Sequence, residues 1–395
     1  MKIGIYGGSF NPPHLGHMAA ARSAMAELGL DRLLIVPACD PPHKKMPEGS
    51  ATPNQRLEMA AIMADQIGAE CWDVEIARKG VSYTVDTLEE AKRLWPEAEL
   101  WLLVGTDMFM SIQTWRDPQR IMELSGICAF SREEDDERSL FVEQKEYLEQ
   151  TFRARVSVIS NPDVIEISST EIRNALIQGE GQNYLHETIY GYILRERLYG
   201  TFSDLTRLTN DELRCVSYSM VKAKRLPHIR GTEMTAVELA LRWGGDPDKM
   251  RKAAILHDCT KYATREEHLA ICARYGIELD ELEKSSEKLL HSKSGAALAK
   301  YVFGQDDEVF TAILYHTTGR GNMTVAEKIL YLADYMEPCR KFPGVEEMRI
   351  LAEDSLDKAV LMGVRMSIQE MLERNRIVHT NTLEAEASLV KGLAE

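Results

Sequence analysis

The sequence predicts two unlike units in one chain, an α/β doubly wound parallel sheet followed by an all-α unit. Three observations carry this. Short apolar runs alternate with helix formers as far as residue 200. Beyond residue 211 the strand-like runs stop and helical patterns continue alone. The first apolar run, Ile3-Gly4-Ile5-Tyr6, ends on a glycine turn that opens into the helix former Met18–Met25.

That turn is Gly7-Gly8-Ser9-Phe10-Asn11-Pro12-Pro13-His14-Leu15-Gly16-His17. A strand, a glycine turn and a helix start point backbone N–H groups at an anion. Pro12 and Pro13 suit the first positions of a helix. His14 and His17 are three apart, so on a first helical turn they share a face. The competing reading is a plain turn with two surface histidines. The histidine spacing directly after a strand favours a phosphate site with Gly7, Gly8, Ser9, Phe10, His14 and His17 around it.

The remaining strand-like runs are Leu33–Val36, Trp72–Ile76, Leu100–Val104, Ile127–Phe130 and Val156–Ile159. Helical stretches such as Gln55–Asp65 and Val85–Leu94 separate them, so a parallel sheet covered on both faces is expected, with ligands at the strand carboxyl ends. Pro37–Lys45 is a stiff proline loop after the second strand, and Lys44 is its best phosphate contact. Ser82-Tyr83-Thr84 opens a helix, with Thr84 read as its N-cap. Exposed N–H groups and hydroxyls there suit a small carboxylate, although a simple cap explains them equally well. Gly105-Thr106-Asp107 follows a strand and could hold a ribose, with Trp115 close behind; a tryptophan is by itself more often core. Ser168-Ser169-Thr170-Glu171 has capping-box spacing, and with Arg173 it makes a second anion cradle.

Together these residues resemble the His-x-Gly-His nucleotidylyltransferases, and most of all bacterial nicotinate mononucleotide adenylyltransferase. The carriers are Gly-Gly-Ser-Phe-Asn-Pro-Pro-His and the distant Ile167-Ser168-Ser169-Thr170-Glu171-Ile172-Arg173. The resemblance implies a Rossmann-like domain that moves AMP from ATP to nicotinate mononucleotide, giving deamido-NAD and pyrophosphate. It implies catalytic roles for His14, His17, Lys44 and Arg173, and ATP contacts from Gly105, Asp107, Ser168, Ser169 and Thr170. Tyr83, Thr84 and Trp115 are implied as pyridine contacts, and Mg²⁺ arrives with ATP. Rival readings are another acceptor, such as a pantetheine or glycerol phosphate, and a class I aminoacyl-tRNA synthetase, whose Lys-Met-Ser-Lys-Ser loop the sequence lacks.

The chain has 395 residues, enough for two domains, placed at 1–200 and 212–395 with a polar linker at 201–211. A net charge of −15 argues against nucleic acid or an anionic membrane as the main partner, and no apolar run reaches membrane-helix length. The N-terminus enters a strand at once, so no secretory signal is expected. Seven scattered cysteines without a Cys-x-x-Cys pair suit reduced thiols in a cytoplasm. The sequence leaves room for a homo-oligomer.

In the second half, helical patterns cover Glu212–Ala223, Met234–Trp243, Met250–His257, Ser292–Val302, Asp307–Tyr315, Val325–Tyr335 and Leu351–Glu373. His228, the pair His257-Asp258, His291, His316 and Asp334 fall on these helices or at their ends. One such histidine is usually structural; the whole group suits Fe, Mn or another first-row divalent ion. Here the sequence resembles the HD superfamily of metal phosphohydrolases, through His257-Asp258-Cys259-Thr260-Lys261, His228 and Asp334. His291 and His316 match the branch that cleaves diadenosine tetraphosphate symmetrically, as does Glu337-Pro338-Cys339-Arg340. The resemblance implies an all-α HD domain with one or two divalent metals, Fe first among them, held by His228, His257, Asp258, His291, His316 and Asp334. Asp258 and Lys261 are implied as catalytic, Arg320 and Arg340 as anion clamps, and dinucleoside polyphosphates as substrates cleaved to ADP. The alternatives are a phosphohydrolase of other nucleotides, or a nucleotide-sensing or assembly module without turnover.

Overall fold

The computed structural model describes residues 1–42, 45–131, 135–160 and 168–394. The chain divides into two compact units, Met1–Phe202 and Ser203–Glu395. No described helix is long and apolar enough to cross a membrane.

The first unit is a six-stranded parallel sheet: β1 Lys2–Gly8, β2 Arg32–Pro37, β3 Glu70–Cys71, β4 Glu99–Val104, β5 Ser125–Ser131 and β6 Val156–Ser160. The spatial order is β3-β2-β1-β4-β5-β6, and every pair is parallel. The order reverses between β1 and β4, where open sheets of this kind bind ligands at the strand carboxyl ends. Side chains alternate across the sheet. Ile3, Ile5, Leu34 and Val36 join one buried cluster, while Tyr6, Leu33 and Ile35 join the other. Both faces are thus apolar and both are covered by helices.

One strand assignment is corrected. The run Trp72–Ile76 is not a strand; β3 is only Glu70–Cys71, and Val74–Arg78 is a short helix. β-Branched residues and a tryptophan give the run a strand-like composition, but pairing with β2 ends at Ile35–Cys71. The helices Leu15–Leu28 and Pro53–Ile67 each close on a glycine in the left-handed region, Gly29 at φ 59° and Gly68 at φ 71°.

The second unit is helical. The helices Asp307–Tyr315 and Val325–Met336 lie where the periodicity places them. The long pattern Leu351–Glu373 is two helices, Val345–Asp354 and Leu356–Glu373, broken at Ser355, whose hydroxyl accepts from Lys358 N. Three further helices, Arg265–Arg274, Glu281–Ser285 and Thr380–Ala394, add to those the periodicity places.

A close approach in the sheet gives a stability prediction. A Cβ on Gly126 in β5 would sit 2.7 Å from the Trp101 ring on β4. Gly126→Ala should cost about 1–3 kcal/mol through overpacking. Denaturant unfolding checks this; an unchanged midpoint would show that the ring moves aside freely.

Candidate functional sites

In the first unit the glycine turn runs off the end of β1 at the point where the strand order reverses. The helix begins at Leu15, so Pro12 and Pro13 precede it rather than occupy its first turn. His14 is the N-cap and His17 the third helical residue; the His14 backbone N–H donates to His17 Nδ1 at 3.2 Å. The two imidazoles face each other with centroids 3.8 Å apart. Burial pushes His14 down to about 4 and, with His14 beside it, holds His17 well below the ordinary range. Both are therefore neutral hydrogen-bonding rings at neutral pH.

The Phe10 ring is not turned toward a ligand, which leaves its backbone as the part that would face the cradle. Its ring is 1% exposed, packs edge-on to Tyr6 at 5.7 Å, and lies under Gly8, where a Cβ would meet it at 3.1 Å. It props the turn from below. Gly7, by contrast, has open space where a side chain would stand.

The second cradle joins the first across more than 150 positions of sequence. Ser168 caps the helix Ser169–Ile177 in a capping box with Glu171. Ser169 Oγ donates to Pro12 O at 2.9 Å. Arg173 is buried, and its Nη1 donates to Asn11 O at 2.7 Å and Ser169 O at 3.1 Å, its Nη2 to Thr170 Oγ1 at 3.1 Å. No carboxylate pairs with it among the described residues, so it is a buried cation held by neutral groups.

Arg56 was missed from the sequence and does the same work beneath the turn. It is 1% exposed, and its guanidinium donates to the carbonyls of Ser9 at 3.0 Å, Cys39 at 2.9 Å and Ala38. Its position in an amphipathic helix gave no hint of this. Asn11 is the other missed member: it accepts from Tyr199 Oη at 2.9 Å and donates to Ser50 Oγ at 2.9 Å.

Tyr83, not Thr84, is the N-cap of the helix Thr84–Leu94, and no side chain caps that end. Arg116 lies over the Tyr83 ring at 4.4 Å, which draws the neighbouring Trp115 segment to Tyr83. Tyr83 and Trp115 both pack on the same apolar cluster as partly buried rings. Gly105 caps the short helix Thr106–Ser111 beyond β4, leaving Asp107 exposed at the same sheet end as the glycine turn. Lys44 lies outside the described residues.

The second unit gathers six residues from five helical segments. His257 and His316 are the C-caps of Pro247–Leu256 and Asp307–Tyr315. Each uses its Nδ1–H on a carbonyl of its own last turn, Ala254 O at 2.6 Å and Ile313 O at 2.7 Å. That fixes both tautomers and turns both Nε2 lone pairs inward. His228, in the first turn of Leu226–Trp243, is oriented likewise by Glu337 Oε1, 3.0 Å from its Nδ1. His228 Nε2 then lies 3.3 Å from His257 Nε2, and His291 Nε2 lies 3.1 Å from His316 Nε2.

Asp258 is fully buried and stands between the two pairs. Its Oδ2 is 3.5 Å from His257 Nε2, and its Oδ1 is 3.2 Å from His291 Nε2 and 3.3 Å from Lys261 Nζ. Asp334 Oδ1 is 3.0 Å from His228 Nε2. Burial opposes ionisation of Asp258, but His257, His291 and Lys261 together hold it well below the usual carboxylate range. Burial lowers His257 to about 4 and holds His316 well below the ordinary imidazole range. Neutral imidazole nitrogens in close mutual contact beside ionised carboxylates form a donor set for divalent ions. The donors fall into two groups sharing Asp258: His228 and His257 on one side, His291 and His316 on the other.

Two residues of this site have no role assigned from the sequence, although Glu337 lies in the Glu337-Pro338-Cys339-Arg340 segment. Arg225 pairs with Asp258 Oδ2, and Glu337, 1% exposed, orients His228. Gly231 exists for Glu337, since a Cβ there would meet Glu337 Oε2 at 2.4 Å. Arg340 reaches the site, with Nη2 2.7 Å from Asp334 Oδ1. Arg320 pairs through Nε and Nη2 with the buried carboxylate of Glu327 at 2.9–3.0 Å. A cavity of about 890 Å³ opens on this centre, lined by His316, Asp334, Arg340 and Tyr335 among others.

A glycine turn at a sheet switch point is the arrangement in which open α/β sheets bind ligands, and the buried His/Asp cluster offers donors of the kind that hold divalent ions. Residues 5–175 match the cytidylyltransferase-like family, and residues 225–339 match the HD domain. The chain is 38% identical over 201 residues to a probable nicotinate-nucleotide adenylyltransferase of Desulfitobacterium hafniense, which spans 50% of this chain and 95% of that protein. It is 38% identical over 183 residues to the symmetrical bis(5'-nucleosyl)-tetraphosphatase of Bacillus subtilis, spanning 46% of this chain and 97% of that protein. A crystal structure described as a predicted HD superfamily hydrolase involved in NAD metabolism, from Clostridium acetobutylicum, is 39% identical, with a TM-score of 0.46 over 47% of this chain and 98% of that one. The chain belongs to the nicotinate-nucleotide adenylyltransferase family through its first half and to the HD-domain hydrolases through its second.

Two outcomes test these sites. The low-lying His14 and His17 bind fewer protons folded than unfolded, so the first unit should lose stability as pH falls from 6.5 toward 4. Hydrogen exchange at the β1 amides reads that loss between about pH 6.5 and 5.5, before most carboxylates titrate, and His17→Asn should flatten it. In the second unit, Glu337→Ala should weaken divalent-metal affinity by about 10–100-fold by freeing the His228 ring. A metal titration equal to that of the unsubstituted chain would show that His228 needs no such partner.

Proposed function

We propose that the chain is bifunctional. Its first unit transfers AMP from ATP to nicotinate mononucleotide, and its second hydrolyses diadenosine tetraphosphate to two ADP. The observation that carries the first part is the tie of Ser169 and Arg173 to Pro12 and Asn11, which makes one anion site of two distant segments. The acceptor is chosen by analogy with the adenylyltransferase relatives and by the closeness of Tyr83 to the Trp115 segment.

In the transfer, a phosphate oxygen of nicotinate mononucleotide attacks the α-phosphorus of ATP, and the bond to the β-phosphate oxygen breaks to release pyrophosphate. No side chain needs to act as nucleophile; positioning and charge stabilisation suffice. His14 and His17 donate N–H groups to phosphate oxygens from the helix N-terminus. Arg173 supplies a desolvated positive charge that no carboxylate among the described residues neutralises. Mg²⁺ enters as part of the ATP complex and keeps most of its water.

In the second unit His228, His257, Asp258 and Asp334 would hold one ion, and His291, His316 and the shared Asp258 another; Fe is the ion we favour. Bound divalent ions supply Lewis acidity and a water acidic enough to attack at neutral pH. The chain's own contribution is to hold the imidazoles in one tautomer through Ala254 O, Ile313 O and Glu337. Lys261 keeps a positive charge against Asp258, and Arg340 stands at the cavity beside Asp334. The symmetrical tetraphosphatase relative supports the choice of substrate. Seven free thiols suit a reducing, cytoplasmic setting, which belongs to the same proposal.

His17→Ala should abolish deamido-NAD formation from ATP and nicotinate mononucleotide while leaving phosphohydrolysis intact. Asp258→Ala should remove bound metal and hydrolysis and spare the transferase. Full transferase activity in the first variant refutes the cradle. Unchanged metal content in the second, by elemental analysis, refutes the ligand set. Turnover of nucleotides other than dinucleoside polyphosphates, or of none, would assign the second unit to another phosphohydrolase or to nucleotide sensing.

A further inference from the structure

The 890 Å³ cavity beside the His/Asp cluster lies near the upper end of small-molecule pockets, about 300–1,000 Å³. Part of its wall is the segment 374–379, which joins the helices Leu356–Glu373 and Thr380–Ala394. The segment is pinned at both ends. Arg376 N donates to Met371 O at 2.8 Å. At the other end His379 Nε2 lies 3.0 Å from Asp280 Oδ2 and 3.5 Å from Glu283 Oε1. Glu283 is itself buried and paired with buried Lys293 at 3.0 Å. Thr382 Oγ1 then donates to Thr318 O at 2.9 Å, two residues beyond His316. The wall is thereby fixed against the loop that carries a residue of the cluster.

The cations lining this cavity are not equivalent. Arg340 is committed to Asp334, and Arg374 pairs with Glu370 at 2.9 Å. Arg376 and Lys288 also line the cavity, and neither pairs with a carboxylate among the described residues. Arg376 on the pinned wall and Lys288 on the helix Glu287–Tyr301 are both exposed, and together they offer the cavity shared with the cluster two cations for a polyanion longer than the reacting phosphates alone. Tyr335 and Phe342, packed edge to face at 5.4 Å, add aromatic surface for a base.

We infer that Arg376, with Lys288, is a specificity-determining contact: the two hold the phosphates of the half of the substrate that departs when the central anhydride is cut. This rests on the dinucleoside polyphosphate reading of the second unit. It also replaces Arg320, which Glu327 occupies, with residues from the last inter-helix segment and from the helix Glu287–Tyr301.

The test uses the full, metal-loaded chain. For Arg376→Ala and Lys288→Ala, KM for diadenosine tetraphosphate should rise about tenfold, the loss of one charge-assisted contact, with kcat within about twofold. Metal content and hydrolysis of p-nitrophenyl phosphate, which carries a single phosphate and no departing phosphate chain, should not change. Arg376→Lys should recover most of the affinity. An unchanged KM in both alanine variants overturns the inference while the wild-type activity stands. So does an equal loss on both substrates, which would mark a structural role. A wild-type chain inert toward dinucleoside polyphosphates overturns the reading of function, and the inference falls with it.

Discussion

Arg173 lies out of water with carbonyls and hydroxyls for partners and no carboxylate beside it among the described residues. Burying a charge without a counter-ion is costly. The cost is met by converging backbone dipoles: Asn11 O and Ser169 O on Arg173, and Ser9 O, Ala38 O and Cys39 O on Arg56. The same carbonyls hold the glycine turn in shape. The turn, the second helix start and the proline loop therefore depend on one another through two buried cations.

The second unit solves the opposite problem. Its buried groups are lone pairs and carboxylates, turned toward one another. Helix ends make this affordable in structural terms, because His257 and His316 satisfy the unpaired carbonyls of their own last turns with Nδ1–H and leave Nε2 for the centre. Glu337 performs that service for His228 from a different helix end, and Gly231 leaves it room. The two units share no architecture, yet each places fixed, water-excluded polar groups where phosphate chemistry needs them.

Much of this was legible in the sequence because the motifs are local. Gly7–His17 lies at one strand end, Ser168–Arg173 at one helix start, and His257-Asp258 at one helix end, so period and capping chemistry locate them. What the sequence did not show is of three physical kinds. Phe10 sits within a motif but turns inward under Gly8, and motif membership does not say which way a side chain points. Arg56, Glu337 and Arg320 depend on what lies across the fold: carbonyls of distant loops, the His228 ring and the Glu327 carboxylate. Trp72–Ile76 reads as a strand because strand composition is weak evidence without a partner to pair with.

The sequence by itself determined the two fold classes, the strand-turn-helix with its paired histidines, and the set of imidazoles and carboxylates in the second half. Those follow from short-range periodicity, capping and residue chemistry, which act over a few residues. The tertiary structure alone decided which segments share a site and which charges are already spent. It joined Ser169 to Pro12, split the second-half ligands into two groups around Asp258, and paired Arg320 with Glu327 while leaving Arg376 and Lys288 without a carboxylate partner among the described residues. The physical reason is that burial and pairing are properties of three-dimensional neighbours, and no local pattern encodes them.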